Sequence, residues 1–326
     1  MICPHHKTLQ EQIVLGVTLM VLEGAIDGDQ PNIFKNSDLQ SLKKECPCMS
    51  MILNFNHLPS SGKSSGKPID DTDLKNAGGS ALSDAVTDTI NELIDKDLQH
   101  KNTQQPQRDY LGASRLVVVC ARALQYEYTH APRDSVYSGK TLRIFELGHT
   151  LEKMAWKWLQ GAGFEIETHQ PKGDPYGFSA ADGLIRGHVD GIIKKVPAGL
   201  NIRVPALWEC KSMNAKSWKQ LVEKGVKVAK PIYAVQIALY QAYMEGVVTD
   251  LSQNAALLTA VNKDTSELYH ELVPFDAGLA QMASDRAVHI LRATQAGETL
   301  PRISHNSDCF ECRFCDWKQT CWKESL

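Results

Sequence analysis

The chain has 326 residues and a formal net charge of −3, enough length to bury a sizeable core as one large domain with an extension or as two small ones. Its 43% hydrophobic and 22% charged content is that of an ordinary globular protein, and no apolar run approaches the roughly 18 residues that cross a bilayer. The charge excludes a protein that coats nucleic acid indiscriminately, so any grip on phosphates has to be local.

Residues 1–70 read as a poorly ordered N-terminal extension. The apolar run at 13–22 has no clean small-residue cleavage site after it, which reads against a signal peptide and for a cytoplasmic protein. Positions 58–68 are rich in Ser, Gly, Lys and Pro, a flexible linker by composition, and Met1, Met49 and Met51 each offer a start. Cys3, His5, His6, Cys46 and Cys48 are the raw material of a small metal site, yet their spacing matches no familiar zinc module. From 71 to 326 the chain reads as one domain, closed by a cysteine cluster at 309–321.

The pattern turns helical from 70 to 99, where Leu82, Val86, Ile90, Leu93, Ile94 and Leu98 recur every three or four residues as a core-facing stripe. Ser114 is placed to cap a second helix through 115–126, with Cys120 inside it as a small apolar residue. A stronger amphipathic helix covers 141–160, with Ile144, Leu147, Leu151, Met154, Ala155 and Trp158 on one face. On the same helix His149 and Glu152 are three apart and lean toward a common point, although a lone helical histidine is more often an ordinary one. Residues 164–169 then alternate as a strand.

Positions 187–193 and 206–211 read as two strands joined by a turn-rich connector at 194–201, a hairpin. Asp190 falls on the first strand, Glu209 and Lys211 on the second. The period of two puts Glu209 and Lys211 on one face and Cys210 on the other. Two carboxylates beside one lysine can hold a hard divalent cation while the ammonium positions a water or meets developing charge. That is what metal-assisted phosphodiester hydrolysis requires. Asp182, just upstream, reads as a turn aspartate.

Downstream, Lys216, Lys219, Lys224, Lys227 and Lys230 with Trp218 read either as a phosphate-gripping, base-stacking face or as a solvated helix face. A helix opening at Pro231 puts Gln236 and Tyr240 on one side. Residues 255–261 and 267–273 form a strand pair, and 276–296 a long helix with Leu279, Met282, Ala283, Ile290 and Leu291 inward. Cys309, Cys312, Cys315 and Cys321 close the chain as C-x2-C-x2-C-x5-C. Thiolates this dense call for a soft metal. Zinc would be satisfied by these four and an iron–sulfur cluster also takes four cysteines, so the spacing does not choose.

Taken in order, His149, Asp190, Glu209-Cys210-Lys211 and Gln236-x3-Tyr240 resemble the motifs of the PD-(D/E)XK nuclease superfamily. The match looks like its RecB-like exonuclease branch, which includes the lambda-exonuclease-like and YqaJ-like phage recombinases and the CRISPR-adaptation nucleases. It covers roughly 110–326. The resemblance implies an α/β fold with a central mixed β-sheet flanked by helices, the restriction-endonuclease-like core, here with a cysteine-rich C-terminal metal site. It implies Mg²⁺ or Mn²⁺ held by His149, Asp190, Glu209 and the Cys210 carbonyl, with Lys211 catalytic and Gln236 and Tyr240 beside the site and the DNA backbone. Cysteine-bearing members hold a [4Fe–4S] cluster through one early ligand and a C-x2-C-x5-C tail, which implies Cys120, Cys312, Cys315 and Cys321. Cys309 is surplus to that pattern, and structural Zn²⁺ on Cys309, Cys312, Cys315 and Cys321 is the rival. The expected function is a metal-dependent DNA exonuclease on single- or double-stranded ends, in recombination, repair or phage DNA processing, with a homo-oligomer or a recombination protein as partner and no membrane. A non-catalytic DNA-binding subunit of a recombination or CRISPR-adaptation complex is the alternative. A redox or zinc-binding regulator is a third reading, which leaves the acid–lysine set as coincidence.

Overall fold

In the computed structural model residues 79–323 are described. The extension expected over 1–70, its cysteine–histidine set and the alternative starts lie outside them. Helix α1 (Gly79–Thr103) leads to strand β1 (Leu111–Gly112), helix α2 (Ala121–Tyr128) and helix α3 (Gly139–Gly161). Strands β2 (Glu165–Glu167), β3 (Gly177–Ala180), β4 (Ile185–His188), β5 (Gly191–Lys195) and β6 (Ala206–Met213) follow. Helices α4 (Ala215–Ala229) and α5 (Pro231–Met244) cross over to β7 (Ala256–Asn262) and β8 (Leu268–Val273), and α6 (Ala277–Gln295), α7 (Phe310–Arg313) and α8 (Lys318–Lys323) end the chain.

The main sheet is mixed, in the order β2-β5-β6-β7-β8, with β6 and β7 parallel and the other neighbours antiparallel. Its middle strand β6 is buried along almost its whole length, as a strand covered on both faces must be. On one face Ala155 and Leu159 of α3 pack with Ile166, Ile193, Trp208 and Cys210. On the other, Leu207, Leu258 and Ala260 meet Ile237 and Tyr240 of α5 and Ile290 of α6. The result is a helix–sheet–helix sandwich, with a smaller sheet of order β1-β4-β3 beside it. Among the described residues no helix is long and apolar enough to cross a membrane.

The expected hairpin forms, with Gly191 opposite Trp208 and Ile193 opposite Ala206. The stretch 187–193, however, is not one strand. It passes from β4 in the small sheet to β5 in the main one, and Asp190 occupies the bend between them. Close approach dictates the two glycines that flank this step. A Cβ at Gly187 would sit 2.8 Å from the Phe178 ring, and one at Gly191 would sit 2.7 Å from Ile166.

Four readings of the helical segments need correction. Ser114 caps no long helix: residues 113–115 form a single 3₁₀ turn, and α2 starts only after its N-cap, Cys120. The Arg286 guanidinium donates to the carbonyls of Leu116 (2.6 Å), Val118 and Val119 (2.9 Å), which holds this β-branched stretch out of the helix. On α1 the stripe read as core is exposed at Val86, Ile90, Leu93 and Ile94. The helix is fastened through its C-terminal half, by Asp95 to Arg143 of α3 and by Gln99 to the carbonyl of Tyr137, just before the α3 cap, at 2.9 Å. On α3, capped by the Ser138 hydroxyl, Ala155 is buried as expected but Leu147, Met154 and Trp158 are exposed. Its inward stripe runs instead through Leu142, Gly148, Glu152, Ala155 and Leu159. Finally, the lysines after β6 do not form one open face: Lys230 is 2% exposed with its ammonium 3.2 Å from the Ser217 hydroxyl, and Lys227 pairs with Asp276 at 2.9 Å.

Candidate active site

Glu209 lies at the centre of the middle strand and has no exposed surface. Its Oε1 accepts from the Lys211 ammonium and, at 2.9 Å, from the Gln236 amide of α5. Its Oε2 is buried without a hydrogen-bond partner among the described residues. From the bend between the sheets, the Asp190 Oδ2 accepts from the Cys210 amide at 2.7 Å, which pins that carboxylate to the same strand. Strand alternation sends the Cys210 thiol to the opposite face, among the residues packed on α3, and leaves its main chain at the acids.

The surroundings set the protonation of the group. Burial, then the charge of Asp190, pushes the Glu209 carboxyl up to about 7, against the opposing effect of Lys211. Burial likewise raises Asp190, while Lys211, the Cys210 amide and His149 work the other way. Burial disfavours the Lys211 ammonium, but Glu209 and Asp190 beside it outweigh that and hold it charged well above the usual lysine range. Lys211 also lies 5.4 Å from the centre of the Tyr233 ring, a cation–π contact. Tyr233, Gln236 and Tyr240 fall three and four apart on α5 and so face the acids together. Burial and then Glu209 push the Tyr240 phenol up, so it stays a neutral donor at this site.

Asp190, Glu209, Lys211, Gln236 and Tyr240 therefore stand together. His149 stands at the edge: its side chain is 76% exposed, with Nδ1 3.9 Å from the Glu152 carboxylate, beyond hydrogen-bond reach. Glu152 and Tyr233 complete the constellation, and neither belongs to the motif set read from the sequence. The i−3 and i−7 spacing of Tyr233 from Gln236 and Tyr240 was the available signal. Among the described residues no three His, Cys, Asp or Glu side chains are already disposed around one ion. The acids are instead drawn onto Lys211 and the Cys210 amide. The arrangement offers hard oxygen donors, one of them unsatisfied, beside a fixed positive charge; it suits a divalent cation and a developing anion.

The cysteines form a second locus. Cys120, Cys312, Cys315 and Cys321 line one cavity together with Arg122, Arg302 and Lys318. Cys309 sits against Cys312 instead. The Arg122 guanidinium approaches the Cys321 sulfur at 3.7 Å. Burial raises the Cys312 thiol to about 12 and the Cys315 thiol to about 11, so bare thiolates are disfavoured here. The end of the chain is tied back to α2 and the loop after it. Trp317 donates to the Ala131 carbonyl at 2.9 Å, and the Asp134 carboxylate caps α8 through the amides of Gln319 and Thr320. Gln125 bridges to the Glu298 carbonyl at 2.6 Å and the Leu300 amide at 2.9 Å.

The sequence matches no protein-family model and no curated protein. Among solved structures the chain is similar to SSO0001, at 17% identity over 73% of this chain and 98% of that one, with a TM-score of 0.39. It is also similar to an alkaline exonuclease, LHK-Exo, from Laribacter hongkongensis, at 13% identity over 62% of this chain and 93% of that one, with a TM-score of 0.41. The complex of LHK-Exo with dAMP gives 14% identity, 58% and 89% coverage and a TM-score of 0.38.

Proposed function

We propose that this chain is a Mg²⁺- or Mn²⁺-dependent DNA exonuclease of the PD-(D/E)XK type, acting on single- or double-stranded ends. The observation that carries the reading is Glu209, a fully buried carboxylate with one oxygen held by Lys211 and Gln236 and the other unsatisfied. Such an oxygen costs about 1–3 kcal/mol unless a partner completes it. The donors around it are hard oxygens, so the fitting partner is a hard cation. Asp190, Glu209 and the Cys210 carbonyl would hold the ion, with His149 approaching from the rim. Bound there, it supplies Lewis acidity toward a phosphoryl oxygen and acidifies a bound water.

The chain's own residues do the rest. Lys211, held charged by the two acids, orients the attacking water and meets the charge that builds on the phosphate. Gln236 fixes the Glu209 carboxylate, and Tyr240 contributes a neutral hydroxyl toward the DNA backbone. Exposed Lys216, Lys219 and Lys224 supply local positive charge in a chain of net charge −3. Processing of DNA ends in recombination, repair or phage DNA metabolism, with a second copy or a recombination protein as partner, is the setting this chemistry fits. A time course on end-labelled single- and double-stranded DNA with Mg²⁺ or Mn²⁺ tests the reading: degradation from an end that EDTA stops is expected. DNA binding without cleavage under either ion would make the chain a non-catalytic subunit instead.

The cysteine locus fits a [4Fe–4S] cluster on Cys120, Cys312, Cys315 and Cys321, because these four, and not Cys309, line the same cavity, with cationic side chains to balance the cluster's negative charge. It would staple the C-terminus to α2 and support the fold. A brown, iron-containing protein after anaerobic purification is expected. A colourless one with stoichiometric zinc would put Zn²⁺ on the four C-terminal cysteines.

A further inference from the structure

We propose that Cys309 and Cys312 are a redox-active pair, whose disulfide closes when the cysteine cavity is empty and keeps Cys312 out of it until reduced. The pairing rests on the fold, and its effect on a cluster rests on the ligand reading above. Cys309 is the one cysteine of the C-terminal four that the cavity does not use. Cys120, Cys312, Cys315 and Cys321 line that space, while Cys309 stands outside it with its side chain against Cys312. A surplus cysteine is usually a small apolar core residue. This one belongs to none of the apolar clusters among the described residues, and it is half-buried where Cys312 is buried.

The local backbone sets the pair. Cys309 is the N-cap of α7 and Cys312 its third residue, and the Cys309 carbonyl accepts from the Arg313 amide at 3.0 Å, which closes the first turn. Residues three apart on such a turn have Cα atoms about 5 Å apart, inside the roughly 4.4–6.8 Å that a disulfide spans. The segment before the turn is held as well. The Asn306 carbonyl accepts from the Cys309 amide at 3.2 Å, and Asp308 pairs with Lys318 at 3.1 Å. A partly exposed thiol beside a buried second one is the arrangement of an attacking and a resolving cysteine. With a small-molecule disulfide as oxidant the step balances. The Cys309 thiolate attacks one sulfur of that disulfide and expels a thiolate, then Cys312 attacks the Cys309 sulfur and expels the second. The two cysteines lose two electrons, the small disulfide gains them, and the two cysteine protons end on the released thiols. Cys312 in a disulfide has no thiolate to give a metal.

The test takes the full chain, freed of metal, through incubation with oxidised glutathione, alkylation and trypsin. The tryptic fragment 303–313 carries Cys309 and Cys312 and no other cysteine. In wild type this fragment is expected lighter by two hydrogens, unalkylated and free of glutathione, whereas in Cys309→Ser the Cys312 thiol is alkylated. Oxidised wild type is expected to take up no iron from iron and sulfide until a reductant opens the pair. Cys309→Ser, treated alike, is expected to take up as much as reduced wild type. Alkylation of both cysteines after glutathione, or glutathione retained on Cys309, would overturn the pair. Loss of metal uptake in reduced Cys309→Ser would make Cys309 a ligand and overturn it too. The linked fragment in a wild type that takes up iron in neither state would leave the pair standing and refute the cluster reading.

Discussion

The acid site and the cysteine locus lie on one molecule and are held together by opposite means. Around Glu209, the charged groups sit on the central strand, on the bend at Asp190 pinned to it, or on helices packed against it. Glu209 and Lys211 are two apart on β6, and Gln236 and Tyr240 are four apart on α5. Around Cys120, the partners come from the far end of the chain. Arg122 and Cys321 are separated by 199 positions, and the contact is kept by Trp317, Asp134 and Gln125. The first region concentrates like charges at the centre of a sheet, which costs stability. The second closes the chain on itself through apolar packing and satisfied backbone groups. Damage to the first should therefore remove activity and spare the fold, and damage to the second should do the reverse.

The largest effect expected is in the acid site. Lys211→Ala or Asp190→Ala should lower nuclease activity by about 10³-fold or more, the scale of losing one preorganised electrostatic contact, while circular dichroism and melting stay near wild type. Unfolding of either variant would mean that the site holds the sheet together, and the contrast would fail. Next comes the chain closure. Trp317 is 3% exposed between Tyr126 and Ala131, so Trp317→Ala should cost about 3–5 kcal/mol in denaturant unfolding. Its activity per folded molecule should be retained at low temperature. Gln125→Ala leaves the Leu300 amide without its acceptor and should cost about 1–3 kcal/mol with Mn²⁺ affinity unchanged. The smallest effect belongs to Asn214, whose side chain accepts from the Ser217 amide at 2.9 Å and caps α4 directly after β6. Asn214→Ala should cost about 1 kcal/mol. A larger loss of activity than of stability there would show that α4 helps to position Lys211.

The same contrast explains what could be read from the amino acids. The hairpin, the shared face of Glu209 and Lys211, and the pairing of Gln236 with Tyr240 follow from periods of two and of three to four, and such periods are local. The bend at Asp190 was hidden, because Gly187 and Gly191 look like strand interruptions until Phe178 and Ile166 are seen beside them. The start of α2 was misread for a tertiary reason: Arg286, far along the chain, takes the carbonyls that a longer helix would have used. On α3 the apolar count pointed to Leu147, Met154 and Trp158, yet the face against β6 is set by Gly148 and Ala155, where small residues permit close approach. Helical spacing turns Glu152 and His149 toward a common point, but only the packing of Gly148 and Ala155 shows which of the two lies nearer the strand. Nothing in the spacing of Cys120 ties it to the C-terminus. That link is implied by the family resemblance alone; in the fold Cys120, Cys312, Cys315 and Cys321 line one cavity.

In the proposed reaction the buried Glu209 carboxylate on the middle strand binds a divalent ion for phosphodiester hydrolysis. Digestion of end-labelled DNA by wild type and by Glu209→Gln, side by side in Mn²⁺, tests it most directly. Glu209→Gln keeps the shape and the contact to Gln236 while removing the charge, so the account predicts a folded protein that binds DNA and does not cut it. Cleavage by Glu209→Gln at the wild-type rate would contradict the account.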